Sequence, residues 1–417
     1  MYKEINYCRL CGNKKIKHAF ELGNLPLGEK YFRKKIFAKK SKSYPLTISW
    51  CKVCKNIQVR EMINPKILWK DYTYLSGQTD AIKTHFEKFA KKTVSVFKLK
   101  NKDLVIDIGS NDGSLLRHFK KKGINILGVD PAKNVVEIAN KNGIKTINSL
   151  FDKKISNKIK NKFKKAKLIT AFNVFAHTEK LREMLKSVYN LLEYDGIFIF
   201  EVQYLDDIYK KKILGTFFHE HMYHHSITSL DNFFEKFQMK LFKVERVNIQ
   251  KGSIIGYVSK NQNIKIDNSV SKFINYEKKI KLFDYKKLKL FKKHFDNQKN
   301  KCKKIINKFN SQDVITAYGA ARSGPVLSIN HGIEKKIKYI FDDHALKVNK
   351  YSSFNALKVM PTKNLIKMMP KLCVILAYLH SKKIIRKNKD YLKNGGKFLI
   401  LYPNVKIISK SNYKLHV

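Results

Sequence analysis

The sequence predicts an α/β protein in three parts, on three observations. Two C-x-x-C pairs stand near the start, strand-like and helix-like patterns alternate from Leu104, and a second alternation follows Asp313. The expected parts are a metal-binding segment over 1–70, a doubly wound Rossmann-like unit over 71–240, and a second Rossmann-like α/β unit over 241–417. At 417 residues the chain is too long for one compact domain of ordinary size. Its hydrophobic fraction of 43%, with 12% aromatic residues, is enough to build cores, so disorder is not expected.

The first segment holds four of the six cysteines. "CRLC" sets Cys8 and Cys11 at the two ends of a tight turn with two residues between them, and "CKVC" repeats this with Cys51 and Cys54. Two such turns supply four thiolates to one tetrahedral zinc, which leaves no position open for substrate. The zinc is therefore expected to be structural. The 39 residues between the pairs exceed the usual zinc-ribbon spacing, so an insertion is expected there.

In the second unit "LVIDIG" reads as a buried strand, "SLLRHFKKKG" as a helix with a glycine stop, and "INILGVD" as the next strand. "AKLITAFNVFAH" and "DGIFIFEVQYL" repeat the pattern, and such alternation implies a parallel sheet. A long basic helix is expected over roughly Tyr276 to Asn310, with Leu288, Phe291, Phe295, Cys302, Ile306 and Phe309 on one face. "DVITAYGAARSG", "IKYIFDD", "KLCVILAY" and "GGKFLILYP" then read as four further strands.

The formal charge is +53, from 86 basic and 33 acidic residues. Only eight of the basic residues are arginine, the side chain that suits base and phosphate recognition, and the lysines are spread along the whole chain. A solvated lysine coat is favoured over a nucleic-acid groove. The N-terminus lacks the apolar core of a signal peptide, and no run approaches membrane-spanning length. A cytoplasmic protein that does not bind membranes is expected, and composition leaves the oligomeric state open.

"VIDIGSNDGSLL" joins strand to helix through Gly109, Ser110, Asn111, Asp112 and Gly113. A dinucleotide loop would place glycine where Asn111 stands; asparagine tolerates the left-handed conformation but brings a side chain, which favours a ligand smaller than a dinucleotide. Asp130 closes the next strand, 21 residues after Gly109, where an acid can receive ribose hydroxyls. Asp107, this loop and Asp130 together resemble the cofactor motif of S-adenosylmethionine-dependent methyltransferases.

"FFHEHMYHHS" puts four histidines and Glu220 within seven positions. Such a cluster is open to three readings: a metal site, a proton-transfer site, or a histidine-rich loop. The C-x-x-C pairs, "IDIGSNDGSLL", "AFNVFAHTEKL" and this stretch, in that order, resemble the three-domain sugar C-methyltransferases of deoxysugar biosynthesis. The resemblance covers nearly the whole chain and is strongest from Asp107 to His221. It implies transfer of a methyl group from S-adenosylmethionine to a carbon beside the ketone of a nucleotide-linked 4-keto-6-deoxy sugar. A base must first remove a proton from that carbon, and histidine is suited to the task near neutral pH.

The resemblance places His221 as that base with Glu220 beside it. It matches His177 to the histidine of an N-x-x-x-H segment and assigns the cofactor Asp107, Gly109, Asn111, Asp112, Gly113, Asp130 and Asn173. Tyr72 and Tyr74 fall where the family has a substrate-contacting tyrosine, and His219 falls beside the substrate. Phe218 stands where tyrosine is frequent, which removes a hydroxyl. Arg322 in "YGAARSG" is expected to hold the diphosphate. Methyl transfer to oxygen or nitrogen is the alternative within the enzyme class, and RNA binding through zinc knuckles is the alternative outside it.

Overall fold

The computed structural model describes residues 2–28, 30–68 and 74–416. The chain is α/β as expected, but its sheets mix parallel and antiparallel pairs. The central sheet runs in the order Lys240–Val247, Ser253–Ser259, Leu192–Gln203, Ala166–Phe172, Leu104–Ile108, Asn125–Asp130, Thr146–Asn148. Its last five strands are mutually parallel. Ser253–Ser259 inserts antiparallel beside Leu192–Gln203 because it returns from Lys240–Val247 as a hairpin, without the crossover that a parallel strand needs. Every residue of Leu104–Ile108 is buried, as helices on both faces require. The helix Leu181–Leu191 buries Leu181, Met184, Leu185, Val188 and Leu191 at helical spacing.

The second large sheet runs Lys406–Ile408, Phe398–Ile400, Leu372–Ile375, Ile315–Tyr318, Ile337–Phe341, Lys358–Met360, Tyr351–Ser352, Tyr31–Phe32. All four expected strands are present, and the last place is taken by a strand from the N-terminal segment. The single long helix expected from Tyr276 is instead two, Asn268–Lys279 and Tyr285–Ile306. Lys281 adopts φ 50°, which a helix cannot continue through, and the Asp284 side chain caps the second helix at the Lys286 amide. The second helix buries Leu288, Phe291, Phe295, Cys302 and Ile306, the face that the sequence marks out.

A smaller antiparallel sheet runs Tyr223–His224, Ile57–Val59, Ser43–Cys51, Ile16–Pro26. The insertion expected between the cysteine pairs is mainly the hairpin of its last two strands. Its first strand comes from the histidine-rich stretch. Among the described residues, no helix is long and apolar enough to cross a membrane.

Candidate active site

The two cysteine turns have the same form. Gly12 donates its amide to the Cys8 carbonyl, and Lys55 donates to that of Cys51. Both Gly12 and Lys55 adopt positive φ. Cys8 and Cys54 sulfurs lie 3.5 Å apart, those of Cys11 and Cys51 3.7 Å, and all four lie within 4.8 Å of one another. Sulfurs about 2.3 Å from one zinc at tetrahedral corners sit about 3.8 Å apart, so this set fits the ion. Asn56 Nδ2 points at Cys8 Sγ at 3.8 Å, an outer hydrogen bond of the kind that steadies a thiolate ligand. Anaerobically purified protein is expected to hold stoichiometric zinc by elemental analysis, and Cys51→Ser should release it and lower the melting temperature.

Strand order in the central sheet reverses between Leu104–Ile108 and Ala166–Phe172, and ligands of open α/β sheets bind at such a crevice. A cavity of about 920 Å³ opens there. Gly109, at φ 69°, turns the chain, and a Cβ on it would come within 2.4 Å of Val174. Asn111 adopts φ 51°, as its position in the loop demands. Its side chain does not crowd the ligand space: Nδ2 donates to the Tyr74 carbonyl and Oδ1 accepts from the Ser76 amide. Asp112 lies off the cavity wall, where Oδ2 accepts from the Gly77 amide and Oδ1 from the Ser114 hydroxyl. Gly113 also lies off the wall and begins the helix Ser114–Lys120 in the left-handed conformation.

Asp130 reaches the cavity with its oxygens accepting from the amides of Asn111 and Ala132, both at 2.9 Å. Burial raises its pKa to about 6 against the pull of those amides. Burial likewise raises Asp107 to about 7, while the Thr170 hydroxyl, donating at 2.6 Å, acts in the opposite sense. Asn173, at φ 58°, lies on the same wall.

An acid that receives ribose hydroxyls binds them best as the anion. S-adenosylmethionine affinity is therefore expected to be level above neutral pH and to fall as pH drops through 6. Asp130→Asn should weaken binding and flatten that pH dependence, both measured by calorimetry.

The histidine-rich stretch turns back on itself. The His221 amide donates to the Phe218 carbonyl, a reversal that sends His219 and His221 to opposite sides. His221 lines the cavity, whereas His219 lies away from it, with Nε2 donating to the Pro45 carbonyl at 2.9 Å and its ring against Tyr44. Glu220 is buried and off the wall, while His177 lines the cavity with its ring 4.7 Å from that of His221. A hydrogen bond joins His177 to the Glu220 backbone. His224 and His225, the last two histidines of the stretch, are both buried. Tyr74 lines the cavity, and Tyr72 lies outside the described residues.

The proton on His221 is placed by its neighbours. Nδ1 lies 2.7 Å from the Thr216 carbonyl, a bond only an N–H can make, so Nε2 carries the lone pair. The Thr216 hydroxyl is 3.0 Å from the same nitrogen and donates to Gln203 Oε1. Burial first, then unfavourable coupling to the His177 and His224 rings and the Arg322 charge, hold the His221 pKa well below its ordinary value. Burial and Arg322 hold His177 down to about 3. Burial thus favours the neutral form of both rings, and Nε2 of His221 presents its lone pair.

The second large sheet reverses its order between Ile315–Tyr318 and Leu372–Ile375, and this crevice opens into the same cavity through Arg322, Ser323, Tyr378 and His380. The Arg322 guanidinium lies 5.6 Å from the Phe218 ring, which in turn lies 3.9 Å from the His221 ring. The two histidines thus stand between two ligand crevices. Sequence reasoning missed Thr216, Gln203 and the part-buried pair His85 and Glu201, 2.6 Å apart on the cavity wall. Glu201 and Gln203 alternate at the end of the strand, straight after the apolar run from Ile197 to Phe200, and that polarity was the available signal.

Three sequence families match in order: a zinc binding domain over residues 8–69, a methyltransferase domain over 82–244, and the C-methyltransferase C-terminal domain over 248–403. This chain belongs to the three-domain, zinc-containing C-methyltransferases. It is 26% identical to C-methyltransferase NovU of Streptomyces niveus over 410 residues, 98% of each chain. Among solved structures, the methyltransferase is similar to an S-adenosylmethionine-dependent methyltransferase from Clostridium acetobutylicum. That likeness has 17% identity and a TM-score of 0.35 over 44% of this chain and 94% of that one. A magnesium protoporphyrin IX methyltransferase from Synechocystis is 15% identical with a TM-score of 0.33, over 46% and 90%. The methyltransferase is S-adenosylmethionine-dependent and carries a structural zinc.

Proposed function

We propose that the enzyme methylates a carbon beside the ketone of a nucleotide-linked 4-keto-6-deoxy sugar, with His221 as the base. The observation that carries this is the lone pair of His221 Nε2, fixed by the Thr216 carbonyl on the opposite nitrogen, in a cavity fed by two crevices. One crevice suits the cofactor, whose sulfonium supplies the electrophilic methyl group. The other offers Arg322 to an anionic handle, and the room between them suits a sugar nucleotide.

In the proposed reaction Nε2 takes the proton from the carbon, and the electron pair of that C–H bond passes into an enolate. The Thr216 carbonyl then stabilises the imidazolium, which offsets the low basicity that burial imposes. Phe218 packs on the His221 ring and limits its rotation. Transfer to oxygen or nitrogen would not require removal of a proton from carbon. Asp130, Asp107, Gly109, Asn111 and Asn173 are assigned to the cofactor, and Asp112 and Gly113 to the shape of its loop. Tyr74, and Tyr72 two positions before it in the sequence, are assigned to the substrate; Glu220 is assigned to orienting His177.

The proposed units are 1–70, 71–240 and 241–417, with Lys240–Val247 and Ser253–Ser259 completing the sheet of the second. Work in a reducing cytoplasm would keep the four thiols available to the metal. Incubation with labelled S-adenosylmethionine and a panel of 4-keto nucleotide sugars tests the assignment. Label is expected on carbon, as a C-methyl group identified by NMR of the product, and transfer to a sugar oxygen would overturn it.

A further inference from the structure

Arg9 stands between the metal ligands Cys8 and Cys11, yet its side chain points away from them into the protein and is 1% exposed. Its amide donates to Gln58 Oε1 at 2.8 Å, Nε to the Val59 carbonyl at 3.1 Å, and Nη2 to the Glu61 carbonyl at 2.9 Å. Nη1 meets Glu179 Oε2 at 2.5 Å. Glu179 lies on the cavity wall two residues after His177. The Val59 amide donates to the Met222 carbonyl at 3.1 Å, and the Met222 amide to the Ala176 carbonyl at 2.7 Å.

These bonds close a ring that leads from Arg9 through Glu179 to the segment of Ala176 and His177, across to Met222, and back through Val59. His177 and His221 each adjoin a member of that ring. Tyr223–His224 also pairs as a strand with Ile57 and Gln58, three and four residues beyond Cys54. The small sheet that the cysteine turns brace is therefore the template on which both histidine segments are laid. Arg9 itself does not line the cavity.

We propose that Arg9 is a positioning residue, through which the zinc-organised turn sets the spacing of His177 and His221. The buried ion pair holds because Nε and Nη2 also donate to carbonyls; without Glu179 the charge would lie uncompensated. The chemical consequence rests on His221 being the base, but the positioning of the two rings does not.

Arg9→Gln, Arg9→Lys, Glu179→Gln and the double variant Arg9→Gln/Glu179→Gln test this in the full-length zinc-loaded protein. Zinc content and S-adenosylmethionine affinity should stay unchanged. The imidazole nitrogen signals of His177 and His221 should move, and exchange protection of the Met222 and Val59 amides should fall about tenfold. The double variant should do no more than either single one, and Arg9→Lys should be intermediate. With a methylated nucleotide sugar in hand, kcat should drop about a hundredfold at unchanged KM.

Unmoved imidazole signals, or effects that add in the double variant, would overturn the proposal. If Arg9→Gln does not fold, Glu179→Gln decides, since it keeps side-chain volume and leaves the cysteine turn intact. If no nucleotide sugar is methylated, the substrate assignment fails while the imidazole and amide signals still test the coupling.

Discussion

His221→Ala is expected to lower both methyl transfer and solvent deuterium exchange at the acidic carbon by about 100- to 10,000-fold, the range supplied by a positioned base. The exchange assay separates the proton step from the methyl step. His221 is held neutral by burial and by neighbouring positive charge, so falling pH leaves its lone pair available well below the usual histidine midpoint. The acid limb of kcat at saturating cofactor should accordingly lie below pH 6.5. Thr216→Val removes only the hydroxyl, keeps the carbonyl that accepts from Nδ1, and should cost less. Exchange that persists at full rate in His221→Ala would transfer the role to His177, whose ring is 4.7 Å away.

What the sequence disclosed about this site was local. The corner from Asp107 to Gly113 and the acid at Asp130 were legible because a strand, a turn and the next strand tip are specified within about one supersecondary unit. The paired cysteines were legible for the same reason, since each pair completes half of a site by itself. Partners brought together from afar left no such trace. Arg9 and Glu179 are 170 positions apart, and His85 and Glu201 are 116.

Residue spacing also misled within the histidine stretch. His219 and His221 would share a face on an extended strand, but the turn at Phe218–His221 breaks that alternation and only His221 reaches the cavity. Asn111 shows the same limit in reverse. Its backbone conformation followed from its place in the loop, whereas its side chain found the carbonyl of Tyr74, which no local rule indicates.

Arg322→Ala is expected to weaken binding of a nucleoside diphosphate by about 1.5–3 kcal/mol, the range for hydrogen bonds to a charged group. The side chain is held in place before any ligand arrives. Gly28 leaves room for its stem, since a Cβ there would come within 2.8 Å of Arg322 Cγ, and the guanidinium lies beside the Phe218 ring. Arg322→Lys keeps the charge but loses the fork that pairs with two phosphate oxygens, so its loss should be smaller. The same charge lowers the pKa of both His177 and His221. Removing it should therefore raise both, seen as imidazole titration midpoints moving toward the ordinary histidine range. Binding of a diphosphate at Arg322 would neutralise that charge in the intact enzyme and raise His221 in the same direction, so the base gains proton affinity as the substrate seats. A diphosphate that binds Arg322→Ala with unchanged affinity would remove the anion site from this arginine, and would leave it only the electrostatic effect on the two histidines.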